Sequence, residues 1–531
     1  MKRFSFLMAA LLVAMTGCQK EPQVTENGSQ SDVQTVGYVS LKISLPKDKG
    51  TKATSNENKY YSGSEYTVND ATAVFYDENG NYVYHTSIST TLGQMNSSNN
   101  ITATGKTEPI GIRTAEKTLY ALVLVNTEGL YAYPEGTSFE NFNYINQDIL
   151  NVEALTGKNK DDFFMSNAPY YENGVYKTLV PVSVEKTADD AAGNAASIDV
   201  ERAVARVSVD WHDALQMGDG ADMKGWGLDI TNKVFYPVRR CYAPEQTAND
   251  WPVDGTLFGA IWDGERVNMA IDPNYSKQWS EDEMENGGWI MQFNRVDVSK
   301  LNADGSGQSY EYCMENTFNI DCMRENQTTS VILKVGLTPN FPEGIYNGET
   351  WIMVGESKAI MTVDQLAEYI VETAAEYYTA HGWNVADMAA EGITTEAIKN
   401  HNWMAGNNDM LFSEESGVSS CDVVGDIICY LEGVCYYSVP IRHFNDEELG
   451  YDSSDKFFED FDNANGYTSA HLGRYGVVRN NWYNLKIRSI SGPGSPVVPN
   501  PGVGPDDETK QYVSCEINIL AWRLRGQIVD L

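Results

Sequence analysis

Cysteine and histidine are the residues best suited to covalent or metal chemistry, and this 531-residue chain holds eight of the first and six of the second. The histidines are scattered. There is no His-Glu-x-x-His, no Gly-x-Ser-x-Gly, no phosphate loop and no paired Cys-x-x-Cys of zinc-site spacing. No catalytic residue, metal or cofactor is therefore expected, and the chain reads as a non-enzyme. Two acidic turns come nearest to a cation site. Asp77-Glu78-Asn79-Gly80-Asn81 lacks a completed ligand set, and Asn302-Ala303-Asp304-Gly305-Ser306-Gly307 has Cys313 where a calcium loop needs its bidentate glutamate. Both read as turns.

One cysteine has a defined chemistry. Lys2 and Arg3 precede an apolar stretch, Phe4 to Met15, too short to span a bilayer as a mature helix, and Met15-Thr16-Gly17-Cys18 comes next. Small residues before the cysteine suit a lipoprotein signal peptidase. Cleavage would make Cys18 the acylated first residue, carrying diacylglycerol and palmitate, so the expected location is exported: an outer-membrane lipoprotein precursor tethered by lipid. Beyond Cys18, seven of the eight cysteines remain, an odd number for a monomeric disulfide framework. Cys429 and Cys435, symmetric about Leu431-Glu432-Gly433, could pair across a hairpin or be two buried thiols.

Three lysines mark a second kind of chemistry. Pro46-Lys47-Asp48-Lys49-Gly50-Thr51-Lys52-Ala53 is proline-led, basic and rich in small residues, the composition of an exposed segment that a trypsin-like protease can cut. The formal charge of −36 argues against nucleic-acid and anionic-lipid partners, because both carry the same sign.

These residues must be positioned by elements, and the composition favours strands. Aromatics make up 11%, with 31 Tyr, and Asn-Gly or Asp-Gly pairs recur. Gln19 to Thr35 reads as a polar tether. Val39, Leu41, Ile43 and Leu45 then alternate with polar residues, which predicts a strand with one buried face. Asn69–Phe75 and Tyr82–His85 flank a hairpin turn, Leu119–Val125 has the continuous apolar run of a central strand, and Asn173-Gly174 marks another hairpin. A helix is expected over Ser138–Leu155, after which comes Phe163–Asn167. Val200 to Val209, within Ser197–Asp210, is expected to close the first domain. Further turns are marked at Asp254-Gly255, Asp304-Gly305, Asn347-Gly348 and Asn465-Gly466. Thr362-Val363-Asp364-Gln365 resembles a capping box opening a helix to about Ala380, with Leu366, Ile370, Ala374 and Tyr377 on one face.

Ser491 to Pro505 is a Pro/Gly linker, expected to stay out of any sheet and to hold the carboxyl-terminal residues away from the body. Past it Val513, Cys515, Ile517 and Ile519 repeat the alternation of Val39 to Leu45. The predicted division is a signal peptide at 1–17, a propeptide with a removable strand at 18–52, β domains at 53–210 and 211–490, and a linker with donor-strand arm at 491–531. Removing the first strand after a cut near Lys52 would open a groove that the arm of another copy could fill. Such head-to-tail contacts do not close, so copies would form a filament.

At these residues the chain resembles the fimbrillins of Bacteroidetes type V pili, in particular the short-fimbria major-subunit branch. The resemblance rests on the lipobox ending at Cys18, Gly50-Thr51-Lys52-Ala53 after the strand, and Val200-Glu201-Arg202-Ala203-Val204-Ala205-Arg206. It rests also on Val477-Val478-Arg479-Asn480-Asn481-Trp482-Tyr483 and on the ending Ile519-Leu520-Ala521-Trp522 to Val529-Asp530-Leu531. It implies a mainly β chain with a few helices, in two β-sandwich-like (transthyretin-like) domains. It further implies lipoprotein export, proteolytic loss of the first strand at the surface, and donor-strand exchange in an adhesive extracellular fimbria. The implied partners are other copies of itself, tip and anchor subunits, a surface protease, and receptors on host or bacterial surfaces. In the family the cut falls after an arginine; here Lys52 stands before Ala53, with Lys47 and Lys49 as substitutes. Ala521 replaces a proline usual before the terminal Trp. Two other readings compete with a shaft subunit: a fimbrial tip or anchor subunit, and a surface glycan-binding lipoprotein using some of the 11 Trp and 31 Tyr as stacking platforms.

Overall fold

The computed structural model describes residues 35–45, 65, 67–88, 104–127, 130, 135–143, 151–172, 175–211, 220–241, 259–262, 265–268, 270–301, 310–339, 348–413, 417–443, 473–506 and 513–521. Cys18, the lysines at 47, 49 and 52, Ala53, the loop 302–307, the Asp254-Gly255 and Asn465-Gly466 turns and residues 522–531 lie outside the described residues.

The first half is built from short strands. In chain order they are β1 Thr35–Val39, β2 Leu41–Ser44, β3 Ala71–Tyr76, β4 Tyr82–Ser87, β5 Thr104–Lys106, β6 Ile110–Thr114, β7 Thr118–Val125, β8 Met165–Asn167, β9 Tyr170–Glu172, β10 Val175–Lys177, β11 Val180–Ser183 and β12 Ala196–Arg202. The main sheet runs β4-β3-β7-β8-β12-β2-β5, with β11 also on β7, while β1 pairs with β6 and β9 with β10. The apolar run of β7 lies at the centre: Leu119 and Ala121 to Leu124 are wholly buried, because a strand covered on both faces has no polar side to present. The β3–β4 hairpin turns on Gly80 at φ 75°. Asp77 accepts from the backbone N–H groups of Asn79 and Asn81 and from the Asn81 amide, so its carboxylate is used in turn closure.

The second half contributes β13 Val204–Trp211, β14 Ala221–Asp229, β15 Tyr310–Met314, β16 Ser330–Leu337, β17 Trp351–Val354, β18 Ala359–Thr362, β19 Gly406–Asn408, β20 Ile427–Tyr430, β21 Val434–Pro440, β22 Asn481–Ile490 and β23 Val513–Ala521. One sheet runs β15-β13-β22-β23 and a second β14-β16-β21. Val207, Leu485 and Ile487 of the first share a core with Trp226, Leu333, Val335 and Tyr437 of the second, which makes a β-sandwich. A third sheet, β18-β17-β20-β19, supports the helix Val363–Ala380. Its capping box is formed by Thr362 and Gln365, and Leu366, Ile370, Ala374 and Tyr378 are its buried face. Tyr377, expected on that face, is only partly buried. Tyr378 takes its place because 3.6 residues per turn carries the stripe past the i+3 position.

Two expectations about elements are corrected, and the open alternative at Cys429 and Cys435 is decided for buried thiols. The run Val200–Val209 is two strands: at Ala203 the chain leaves the first sheet as β12 and enters the second as β13, since β12 pairs with β2 and β8 whereas β13 pairs with β15 and β22. Of the helix expected over Ser138–Leu155 the described residues form two short helices, Phe139–Phe142, which ends at Asn143, and Val152–Thr156, each with its own side-chain cap from Ser138 and Asn151. Cys429 and Cys435 are free, buried thiols; Cys313 and Cys322 are likewise free and buried, and Cys241 and Cys421 are free and partly buried. Cys429 lies opposite Ile352 and Cys435 opposite Val335, in different sheets, and Glu432 at φ 52° turns the chain between them.

Candidate functional site: a seated strand and a strapped arm

The amino-terminal strand lies between neighbours on both sides. β1 pairs antiparallel with β6 from Thr35↔Thr114 to Val39↔Ile110, and β2 pairs parallel with β12 and antiparallel with β5. Val39, Leu41, Ile43 and Leu45 are at most 1% exposed, and Lys42 points out. The switch of partners falls at Ser40, itself buried, whose hydroxyl donates to the Thr107 carbonyl at 3.0 Å. Thr107 also accepts the Leu41 N–H on its hydroxyl at 2.9 Å and returns its own N–H to the Leu41 carbonyl at 2.9 Å. Tyr38 and Glu185 exchange two backbone bonds of 2.8 Å, and the Ser40 carbonyl takes the Ala196 N–H. At Gly37 an added Cβ would run into the Val184 side chain, so only glycine lets β1 approach this closely.

Beyond Leu45 the next described residue is Glu65, wholly buried where the two halves meet. Its carboxylate accepts from Arg206 Nη1 at 2.9 Å and from the Tyr312 hydroxyl at 2.6 Å, and its carbonyl accepts from Arg202 Nε at 3.1 Å. Arg206 is sandwiched between the rings of Tyr310 and Trp482, 3.9 and 4.4 Å from their centroids. Burial and then the Glu65 carboxylate push the Tyr312 phenol far above its ordinary range, so it remains a donor. Beside this group Arg239 grips Glu201 in a bidentate pair of 2.9 and 2.7 Å, and Arg479 pairs with Glu315 at 3.3 Å. Arg202 reaches Asn480 across the seam. Sequence reasoning missed this network. Its signal was Glu201, Arg202 and Arg206 inside a run otherwise composed of Val and Ala.

The carboxyl-terminal linker was expected to project, and it does not. Residues 491–506 lie along the second sandwich as a strap attached at points along its length. Ser495 and Tyr436 exchange backbone bonds of 2.9 and 2.7 Å, and the hydroxyls of Tyr437 and Tyr430 donate to the carbonyls of Gly492 and Gly494 at 2.8 and 3.0 Å. Arg295 donates to the Pro499 carbonyl at 2.9 Å and Arg324 to the Val503 carbonyl at 2.7 Å. The strap ends where Thr328 bonds the Asp506 carboxylate. A proline-rich chain cannot form a ladder because it lacks donors, yet its carbonyls remain good acceptors, and side chains from the body use them.

β23 then pairs antiparallel with β22 from Asn481↔Ala521 to Ile490↔Val513, with a bulge between Ile487 and Ser489. The arm's backbone is thus the edge of its own sheet, whereas β2 lies inside the sheet of the other half. One chain does not bring the two look-alike strands together.

No group of three His, Cys, Asp or Glu able to hold a metal occurs among the described residues. Burial raises the Cys429 and Cys435 thiols to about 11 and about 12, which suits core packing rather than nucleophilic attack. No helix among the described residues is long and apolar enough to cross a membrane.

Among curated proteins none matches the chain. Solved structures with similarity include a fimbrilin (FimA) from Porphyromonas gingivalis, at 13% identity over 93% of this chain and 100% of that one, with a TM-score of 0.39. The tip fimbrial protein Mfa3 of the same species, truncated at its carboxyl terminus, shares 11% identity over 90% and 99%, with a TM-score of 0.34. Residues 429–527, which run from the end of β20 through β21, β22, the strap and β23, match the family model for the major fimbrial subunit protein type IV, fimbrillin, carboxyl-terminal. Residues 429–527 are thereby assigned to the fimbrillin carboxyl-terminal domain, whose role in a fimbria is structural and non-enzymatic.

Proposed function

We propose that this chain is a shaft subunit of the short-fimbria major branch, exported as a lipoprotein acylated at Cys18. In this reading a surface protease cuts after Lys52, or after Lys47 or Lys49, the amino-terminal strand leaves, and the arm of the next copy takes its place. Val513, Cys515, Ile517 and Ile519 of the arm fill the pockets vacated by Val39, Leu41, Ile43 and Leu45. Tip and anchor subunits and surface receptors are the further partners of an adhesive fibre.

The observation that carries this reading is the seating of β2. Val39, Leu41, Ile43 and Leu45, in and flanking it, are buried and the β2 backbone is paired to both β12 and β5, so its loss leaves a slot rather than a bare edge. Refilling four pockets at ~1.5 to 3 kcal/mol each gives on the order of 6 to 12 kcal/mol before ordering costs, enough to hold a fibre. While the first strand remains attached its effective concentration is roughly millimolar, far above that of any neighbour's arm, so cutting is the trigger. Exchange also requires the arm to leave β22, trading one edge ladder for two.

The test is trypsin treatment of purified precursor, alone and with residues 512–531 deleted. The full chain is expected to lose a fragment ending near Lys52 and then to form high-mass ladders, and the deleted chain to be cut yet stay monomeric. Cut full-length protein that never polymerises, or fibres from the deleted chain, refutes the reading.

A further inference from the structure

We infer that the strap 491–506 fixes the point from which the arm leaves the body, with Gly494 and Arg324 as its positioning residues; this rests on the polymerising reading above. The linker sequence alone suggests a free connector beginning at Ser491. The attachments move its root to Asp506, so only 507–512 separate the anchored strap from the first arm residue, Val513.

The strap is held at points rather than by continuous packing, for it roofs a cavity of about 720 Å³ lined by Met353, Ile360, Tyr430 and Tyr437. The points therefore matter individually. At Gly494 the backbone passes so close to β21 that an added Cβ would overlap the Tyr436 carbonyl oxygen and lie 2.8 Å from the Tyr437 ring. Tyr436 O is itself tied into the Ser495 exchange, so it cannot yield without breaking that pair. Only glycine allows the strap to close here. At the other end Arg324 spans two segments, Nε to the Asp321 carbonyl at 2.9 Å and Nη1 to Val503, and Glu325 adds its N–H to the Gly504 carbonyl while accepting from Gly502. Gly504 has nothing within 4 Å of an added Cβ, which makes it the matched control.

Fibre geometry depends on the root. Freeing 491–506 adds 16 residues of connector, or roughly 20 Å of root-mean-square slack between neighbouring subunits. The arm's own apolar residues are untouched, so the affinity of exchange for the groove is unchanged.

The experiment compares wild type, Gly494→Ala with Arg324→Ala, and Gly504→Ala, each as full precursor. Amide hydrogen exchange of the uncut monomers reads the strap alone. Slow exchange at Ser495 and Gly502 is expected in wild type and in Gly504→Ala, and fast exchange in the double variant. Electron microscopy of the cut, polymerised proteins reads the root. Fibre yield is expected to hold, while the scatter of subunit spacing rises by on the order of 20 Å in the double variant only. Unprotected amides in wild type, or equal spacing in all three fibres, overturns the strap. Protected amides in a wild type that never polymerises leave the strap standing and remove the polymerising reading instead. If the double variant does not fold, Tyr437→Phe, which removes the hydroxyl that bonds Gly492, is expected to raise exchange at the strap's first half; no change there overturns the inference.

Discussion

Glu65 is one carboxylate serving an arginine, a tyrosine and, through its backbone, a second arginine, all in the seam between the halves. Glu65→Gln keeps the shape but strands the Arg206 guanidinium without its counter-charge, and breaking such a buried pair costs about 3 to 5 kcal/mol. A loss of that size is expected in denaturant unfolding of the full precursor, and a change under 1 kcal/mol would mean that the arginine is held without the Glu65 carboxylate, as by the Tyr310 and Trp482 rings. Asp272 supplies a separate prediction about pH. Burial raises its carboxyl to about 7, against the opposing pull of the Thr317 and Asn274 N–H groups. The folded state therefore holds a proton that the unfolded state, with an ordinary carboxyl, releases earlier. Stability should fall as pH rises from about 4 to about 7, by at most ~1.4 kcal/mol per pH unit from this group. Thermal melts across that range should show the decline, and Asp272→Asn should flatten it. Neither residue announced itself: Asp272 sits beside a proline as many turn residues do, and Glu65 bonds partners 137 to 247 positions away.

At the scale of elements, alternation and apolar runs located what local patterning controls. The strand about Leu119–Val125, the β3–β4 hairpin and the helix after Thr362 are formed where periodicity and turn chemistry place them, because short-range preferences and burial there agree. The capping box is a local device and its prediction is local: Thr362→Ala should destabilise by about 1 kcal/mol in denaturant unfolding, with the helix face still buried. Failures came where the fold imposes a change of neighbour without a change of pattern. Val200 to Val209 is uniform in type, so nothing local reports that Ala203 is where one sheet ends and the next begins. Cys429 and Cys435 have the spacing of a cross-strand pair but belong to separate sheets. The strap was misjudged for a different reason: proline lacks donors, and its use as a row of acceptors depends on Tyr430, Tyr437, Arg295 and Arg324, which come from other parts of the chain.

For the whole molecule, the passage of β12 straight into β13 decides how a filament bears load. In the proposed strand exchange, pulling on a fibre would enter each subunit through the slot beside β12 and leave through the strap, passing to the end of β22 at Ile490 once the strap's attachments give way. β13 and β22 are parallel, paired from Arg206↔Trp482 to Trp211↔Ile487, so the two tugs act at opposite ends of neighbouring strands. The hydrogen bonds between them are then strained all together, sideways, instead of parting one after another like a zip. Single-molecule stretching of a tandem fibre should therefore show subunits that withstand far greater force along the fibre axis than when the same ladder is peeled from one end. In such a fibre the resistance to pulling would come from the shared direction of two adjacent strands.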